Sequence, residues 1–314
     1  MAGASNSSTC RFGCDRRELL NLSYYLQLLI GGISNGAMYA IIAVGWALIF
    51  SILKFSNFAH GGTMVCCAYL GLLATNIVGP NLWLTLIFAA LCGGIINILV
   101  ELISFHRLRQ SSKQVLLFFV SSITMGMLLQ NLVALKFSGI FYSYPNFFKQ
   151  RFVRIGSLSF DMSNFMMLAV ATVVISILVL VLRKTRLGIA IRALSMDART
   201  TSLMGVNVNL VVMATFFAAG ALAGIAGVFV GIRTILSPQI GGLYTVKGFM
   251  VCVIGGLGSL NGALFAAIIL GLVETAFAVI LGTSLAPVGT FFFMLVFLLL
   301  RPQGLAGTFA TDKA

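Results

Sequence analysis

The chain has 314 residues with 20 Lys and Arg against 7 Asp and Glu, a net charge of +13, yet only 9% of its residues are charged, 60% are hydrophobic and the mean hydropathy is +1.06. A soluble globule needs roughly a quarter of its residues charged, so that class is excluded and the composition is that of a polytopic membrane protein. The basic residues sit in short loops beside apolar runs, where membrane topology and anionic head groups account for them and nucleic acid is not implied.

In chain order, residues 1–21 form a polar tail rich in Ser and Asn with Cys10 and Cys14. The apolar run after it is long and interrupted by glycine, which fits a retained tail rather than a signal peptide. Cys66, Cys67, Cys92 and Cys252 lie inside apolar runs and behave as small hydrophobes, so no disulfide framework is indicated.

A helix needs about 20 mainly apolar residues to cross the hydrocarbon core. The runs that qualify are Leu26 to Leu53, Phe58 to Val78, Leu82 to Phe105, Val115 to Phe137, Asn164 to Leu182, Val211 to Gly231, Phe249 to Ile280 and Ala286 to Leu300. The first and seventh are too long for one uninterrupted crossing, and each carries helix-weakening glycines. Gly31, Gly32 and Gly36 stand in one, and Gly255, Gly256, Gly258 and Gly262 in the other. Each is expected to be a broken helix or two segments. The fold class is therefore an all-α transmembrane bundle of about 8 to 9 spans with discontinuous helices, a permease domain over 22–307, and a short tail over 308–314.

The loop from Arg183 to Leu210 carries Arg183, Lys184, Arg186, Arg192 and Arg199 against Asp197 alone, a Lys/Arg excess that holds a loop on the cytoplasmic side. Within it, Met196 to Met204 suits a short helix with Ser195 as N-cap and Gly205 after the C-cap. A stop-transfer loop needs only the charges. A capped helix with small residues on its surface points to a docking element over 183–210. With this loop inside, His106 to Lys113 is also inside and Lys136 to Asp161 outside. The outer loop is basic too and holds Phe141, Tyr142, Tyr144, Phe147 and Phe148 with Pro145, which suits an extracytoplasmic contact or an interfacial aromatic belt equally.

Gly255, Gly256 and Gly258, with Ser259 and Asn261, interrupt an apolar stretch. Irregular backbone is excluded from lipid, so this segment is expected inside the protein or along a water-filled path, where transporters build sites from helix breaks. The alternative is that the glycines only admit close packing. No Lys-Ser/Thr follows them, which rules out a phosphate loop. The small residues of Val211 to Gly231 mark a close-packed face, used within the chain or between copies. Glu274 is an intramembrane carboxylate, functional by default or paired with a structural partner such as Asn261. Glu101 stands about a turn from His106 and Arg107 and is expected to form a snorkelling ion pair. Asn57 and His60 follow the first span and are placed along an entrance or at a helix start. No metal spacing, catalytic triad or zinc-protease motif is present.

The blocks GGISNGAMYAIIAVGWALIF, NFAHGG, QSSKQVLLFFVSSITMGMLLQN, TRLGIAIRALSMDARTTSLMGV, VIGGLGSLNGALFAAIILGLVE and LRPQGLAG, in this order from Gly31 to Gly307, resemble the permease subunit of branched-chain amino-acid ABC importers, in its high-affinity H-type form. The resemblance implies a membrane half-channel in the bacterial cytoplasmic membrane. Its partners would be a second homologous permease, two cytoplasmic ATP-binding cassette subunits and an extracytoplasmic solute-binding protein. ATP would be bound by the partners and no cofactor or metal by this chain. It also implies that Arg192, Ala193, Asp197 and Gly205 belong to the loop that couples to the ATPase. The translocation path is expected to use Asn57, His60, Gly255, Gly256, Gly258 and Glu274. Members of the same family carry urea or short amides, which is the alternative within the class. A proton-coupled secondary transporter working through Glu274, Glu101 or His60 is the alternative outside it.

Overall fold

The computed structural model describes residues 22–109, 115–137, 140–145, 147, 152–155 and 158–306. The amino-terminal tail with Cys10 and Cys14, Phe148, Lys149 and Arg151 of the outer loop and the tail over 308–314 lie outside the described residues. The elements are α1 (Leu22–Leu53), α2 (Ala59–Val78), α3 (Leu82–Val100), α4 (Val115–Phe137), β1 (Phe152–Ile155), β2 (Leu158–Asp161), α5 (Met162–Lys184), α6 (Arg186–Met196), α7 (Ala198–Leu203), α8 (Val208–Arg233), α9 (Ile240–Gly255), α10 (Leu260–Ile280) and α11 (Ala286–Leu300). Helix α3 runs on through a π-helical turn, Glu101–Phe105, and a last turn, His106–Arg109. Among the described residues, six helices are long and apolar enough to cross a membrane. Three more, α2, α9 and α11, of 20, 16 and 15 residues, complete a multi-pass helical bundle. The strands form one antiparallel hairpin in the outer loop, with Phe152 opposite Asp161.

The centre of the bundle is α1 and α8. From Gly36 to Ile49 every residue of α1 is buried, as expected for a helix that is apolar all round. Helix α10 packs along α1, and α8 lies against α3, α1 and α2. The outer helices α3, α4, α5 and α11 turn large apolar side chains such as Trp83, Leu116, Ile177 and Phe292 outwards.

The first span is one continuous helix of 32 residues, so the expected break there is absent. Its glycines serve proximity instead. A Cβ on Gly36 would lie 2.8 Å from the Cα of Ile268, so the bare backbone is what lets α1 and α10 touch. The small residues of α8 do the same within the chain. Gly220 and Gly93 face each other across α8 and α3, each standing where a side chain on the other would go. The seventh run is indeed two elements, α9 and α10, that meet at the glycines.

Tyr142 pairs by backbone with Leu236, and the Tyr144 hydroxyl donates to Ala68 O at 2.6 Å. These outer-loop aromatics fold back onto α2 and the α8–α9 connection, whereas Phe141 stays exposed. At the other end, Arg109 Nη2 donates to Asn209 Oδ1 at 3.1 Å, which puts the basic end of α3 beside the start of α8. That agrees with the topology read from the charges.

Candidate functional site

The segment between α5 and α8 is built from local signals. Helix α5 ends at Lys184, and Thr185 turns the chain, its hydroxyl accepting from Gly188 N at 3.2 Å to start α6. Helix α6 is amphipathic and buries Gly188, Ile191 and Leu194. Arg192 donates to Leu182 O at 2.8 Å, and Ala193 is half-buried. The expected cap is displaced by two residues. Asp197, not Ser195, is the N-cap of α7, accepting from Arg199 N at 2.9 Å and from the Thr200 hydroxyl, while Ser195 Oγ donates back to Arg192 O at 2.7 Å. The reason is that Ser195 still belongs to α6, and only Asp197 has the extended backbone a cap needs. The Thr200 hydroxyl and then the Arg199 amide hold the Asp197 carboxyl below its ordinary pKa. Gly205, with φ +81°, takes the left-handed position after α7 that a side chain would strain. Met196, just before Asp197, and Leu203 and Met204, just before Gly205, are 88, 80 and 81% exposed.

The glycine break stands at this same end of the bundle. Gly258, Ser259 and Asn261 line one cavity with Arg183, Arg192 and Ser195. Gly256 and Gly258 have φ of +95° and +85°, and Ser259 caps α10 by accepting from Gly262 N at 3.2 Å. The carbonyls left open at the end of α9 are taken by the chain's own last described residues. Leu305 N donates to Ile254 O at 2.7 Å and Ala306 N to Gly255 O at 3.1 Å. The break is thus a tight turn, and residues 301–306 are its lid.

Asn57 and His60 stand elsewhere, at the buried start of α2. Asn57 Oδ1 accepts from Ala59 N at 3.0 Å, the helix-start role expected of it. The His60 ring packs over Gly45 of α1. Among the described residues neither His60 nitrogen, nor Asn57 Nδ2, nor Trp46 Nε1 has a hydrogen-bond partner.

Glu274 has a partner that the sequence reading missed. Lys247 Nζ lies 2.6 Å from Glu274 Oε1 and donates to the Tyr39 hydroxyl at 2.9 Å, and that hydroxyl donates to Glu274 Oε2 at 2.7 Å. Asn261 stands near the start of the same helix, several turns before Glu274. Lys247 stands two residues before Phe249, where the seventh apolar run begins, and so reads as a flanking charge. The available signal was one further charge of opposite sign close to an apolar span. Glu101 likewise pairs with Arg109 at 2.8 Å and lies 3.8 Å from His106 Nδ1, rather than snorkelling towards Arg107, and it is fully buried. Eight residues at about 100° each would leave Arg109 about 80° round the helix from Glu101; the extra residue of the π turn returns it to the same face.

The predicted site residues therefore fall in three places. Arg192, Ala193, Asp197 and Gly205 join the glycine break at the basic end, Asn57 and His60 stand at the start of α2, and Glu274 forms a largely covered triad with Lys247 and Tyr39.

The chain is 31% identical to the high-affinity branched-chain amino acid transport system permease protein LivH of Escherichia coli strain K12, over 92% of this chain and 98% of that protein. It is 30% identical to BraD of Pseudomonas aeruginosa, described in the same words, over 92% of this chain and 98% of that one. Among solved structures, PsaBC from Streptococcus pneumoniae in complex with Fab aligns with a TM-score of 0.49 at 12% identity, covering 87% of this chain and 91% of the other. A family model described as branched-chain amino acid transport system, permease component, matches residues 28–300, and the chain belongs to that family.

Proposed function

We propose that the chain is the permease subunit of an ATP-driven importer that carries leucine, isoleucine and valine across the bacterial cytoplasmic membrane. In this reading it works with a second homologous permease, two ATP-binding cassette subunits that hydrolyse ATP, and an extracytoplasmic binding protein. The observation that supports it is the coupling segment: two short helices between α5 and α8, capped by Asp197 and Gly205, that present Met196, Leu203 and Met204 to the outside. Large apolar side chains exposed among arginines beyond the ends of the spans are a protein-docking surface rather than a solvated loop. The interior suits an apolar solute that is neutral overall, since its spans offer no ring of like charges to select an ion.

The test is uptake by the reconstituted complex with its own binding protein. Inhibition by leucine, isoleucine and valine at low concentration is the expected result. Inhibition by urea or short amides but not by leucine moves the solute to that class. Uptake by this chain alone under a proton gradient overturns the ATP-driven reading.

A further inference from the structure

Lys247 and Glu274 form a second pair of opposite charges within the bundle, apart from Glu101 and Arg109, and Lys247 opens onto a groove. Its side chain is 9% exposed and that of Glu274 14%, so the pair is covered but reachable. The groove, about 390 Å³, runs between α9 and α11 with Leu243, Val246, Met250, Val288 and Phe291 beside Lys247. Its size falls within the roughly 300–1,000 Å³ of small-molecule sites. The slightly larger cavity between α2 and α3, about 410 Å³, is lined by residues such as Leu73, Ile77 and Phe88 and has no charged group on its wall.

We propose that Lys247, Glu274 and Tyr39 read the zwitterionic head of an aliphatic α-amino acid, whose side chain lies in the groove between α9 and α11. This rests on the function proposed above and names the site at which the solute is held. A carboxylate on Lys247 and an ammonium on Glu274 replace one neutral pair by two, so no uncompensated charge is left in the low-dielectric interior. The Tyr39 hydroxyl already accepts from one head and donates to the other, so it holds both while the solute parts them. The Lys247 ammonium also sits 5.1 and 5.5 Å from the ring centroids of Tyr39 and Tyr244, an aromatic seat that steadies a cation without neutralising it. A solute with only an acid leaves Glu274 unpaired, and one with only an amine leaves Lys247 unpaired. The triad therefore rejects both by the cost of a lone buried charge.

The test uses the full complex with its ATPases, second permease and binding protein in proteoliposomes, and three variants: Lys247→Met, Glu274→Gln and the exchanged pair Lys247→Glu with Glu274→Lys. Each single variant is expected to lose more than about tenfold in leucine uptake. The exchanged pair keeps an ion pair in the interior, so it is expected to restore abundance without restoring uptake, because the head would have to enter reversed. Since single variants can fail to accumulate, maleimide labelling of Val246→Cys is read with the native pair in place. Leucine is expected to slow it, whereas leucinamide and 4-methylpentanoate leave it unchanged. Recovery of both abundance and uptake in the exchanged pair makes the triad a structural ion pair and overturns the site. Labelling indifferent to leucine in a complex that takes leucine up also overturns the site, while leaving the function standing. A wild-type complex that takes up no branched-chain amino acid overturns the function instead, and with it the solute named here.

Discussion

The Arg192 guanidinium donates to the carbonyl of Leu182 at 2.8 Å, tying α6 back to the last turn of α5. Leu182 O is among the carbonyls that a helix end leaves without an internal partner. Arg192 thus fixes how α6 leaves the end of α5, which under the proposed function is the angle of the docking surface. Arg192→Ala should cost about 1 kcal/mol of local stability and weaken solute stimulation of ATP hydrolysis by the complex. Arg192→Lys, which keeps one donor, should fall between. Equal solute stimulation in wild type and Arg192→Ala would remove this role.

Asp197 caps α7 as a carboxylate, and its folded pKa is lowered by Thr200 and Arg199. A lowered folded pKa means that the cap's contribution is complete above the ordinary carboxylate range and is lost as pH falls through the folded value. Amide exchange at Arg199 should therefore be flat across neutral pH after correction for intrinsic rates, and protection should fade only under acid conditions. Asp197→Ala should remove that protection at every pH, and Asp197→Asn should keep part of it. Unchanged protection in Asp197→Ala would show that the cap does not hold the helix.

Gly220 on α8 has no room for a side chain, since its Cβ would lie 2.5 Å from that of Asn97 and closer still to Gly93 O. Gly31 has nothing within 4 Å of the same position. Gly220→Val should cost about 3 kcal/mol or more through overpacking and abolish accumulation in the membrane, while Gly31→Ala should be tolerated. Quantitative blotting of membranes decides it: comparable levels for the two variants would contradict the packing described.

Leu305 holds the end of α9 through its backbone N–H. Leu305→Pro removes that donor and should cost about 1–3 kcal/mol for the stranded Ile254 carbonyl, whereas Leu305→Val keeps it and should be nearly neutral. Thermal unfolding of the purified complex is the measurement. Equal midpoints for the two variants would mean that the carboxy-terminal lid does not stabilise the turn.

Much of this was legible in the residues. Apolar runs of helical length placed nearly every helix, because lipid leaves a crossing chain little choice but to bond its backbone within a helix. The basic end of α3 and the basic loop between α5 and α8, read to one side from their charges, do lie together, and Gly205 declared the end of its helix. Glycine meaning was harder. Gly31, Gly32 and Gly36 read the same as Gly255, Gly256 and Gly258, yet the first set lies in an unbroken helix and the second makes a turn. A missing side chain permits both close approach and a left-handed backbone, and which one is used depends on the neighbour that arrives.

What the amino-acid sequence determined by itself was the class, the helices and the polarity of the loops, all of which follow from local hydropathy, charge and capping. What only the tertiary structure decided was pairing. Lys247 and Glu274 lie on consecutive helices on either side of the glycine turn, Glu101 reaches Arg109 because a π turn re-phases α3, and the lid on that turn comes from residues some 50 positions further on. Buried charges and open carbonyls must find partners in a medium without water, but that demand does not say which residue answers it until helices distant in sequence are side by side.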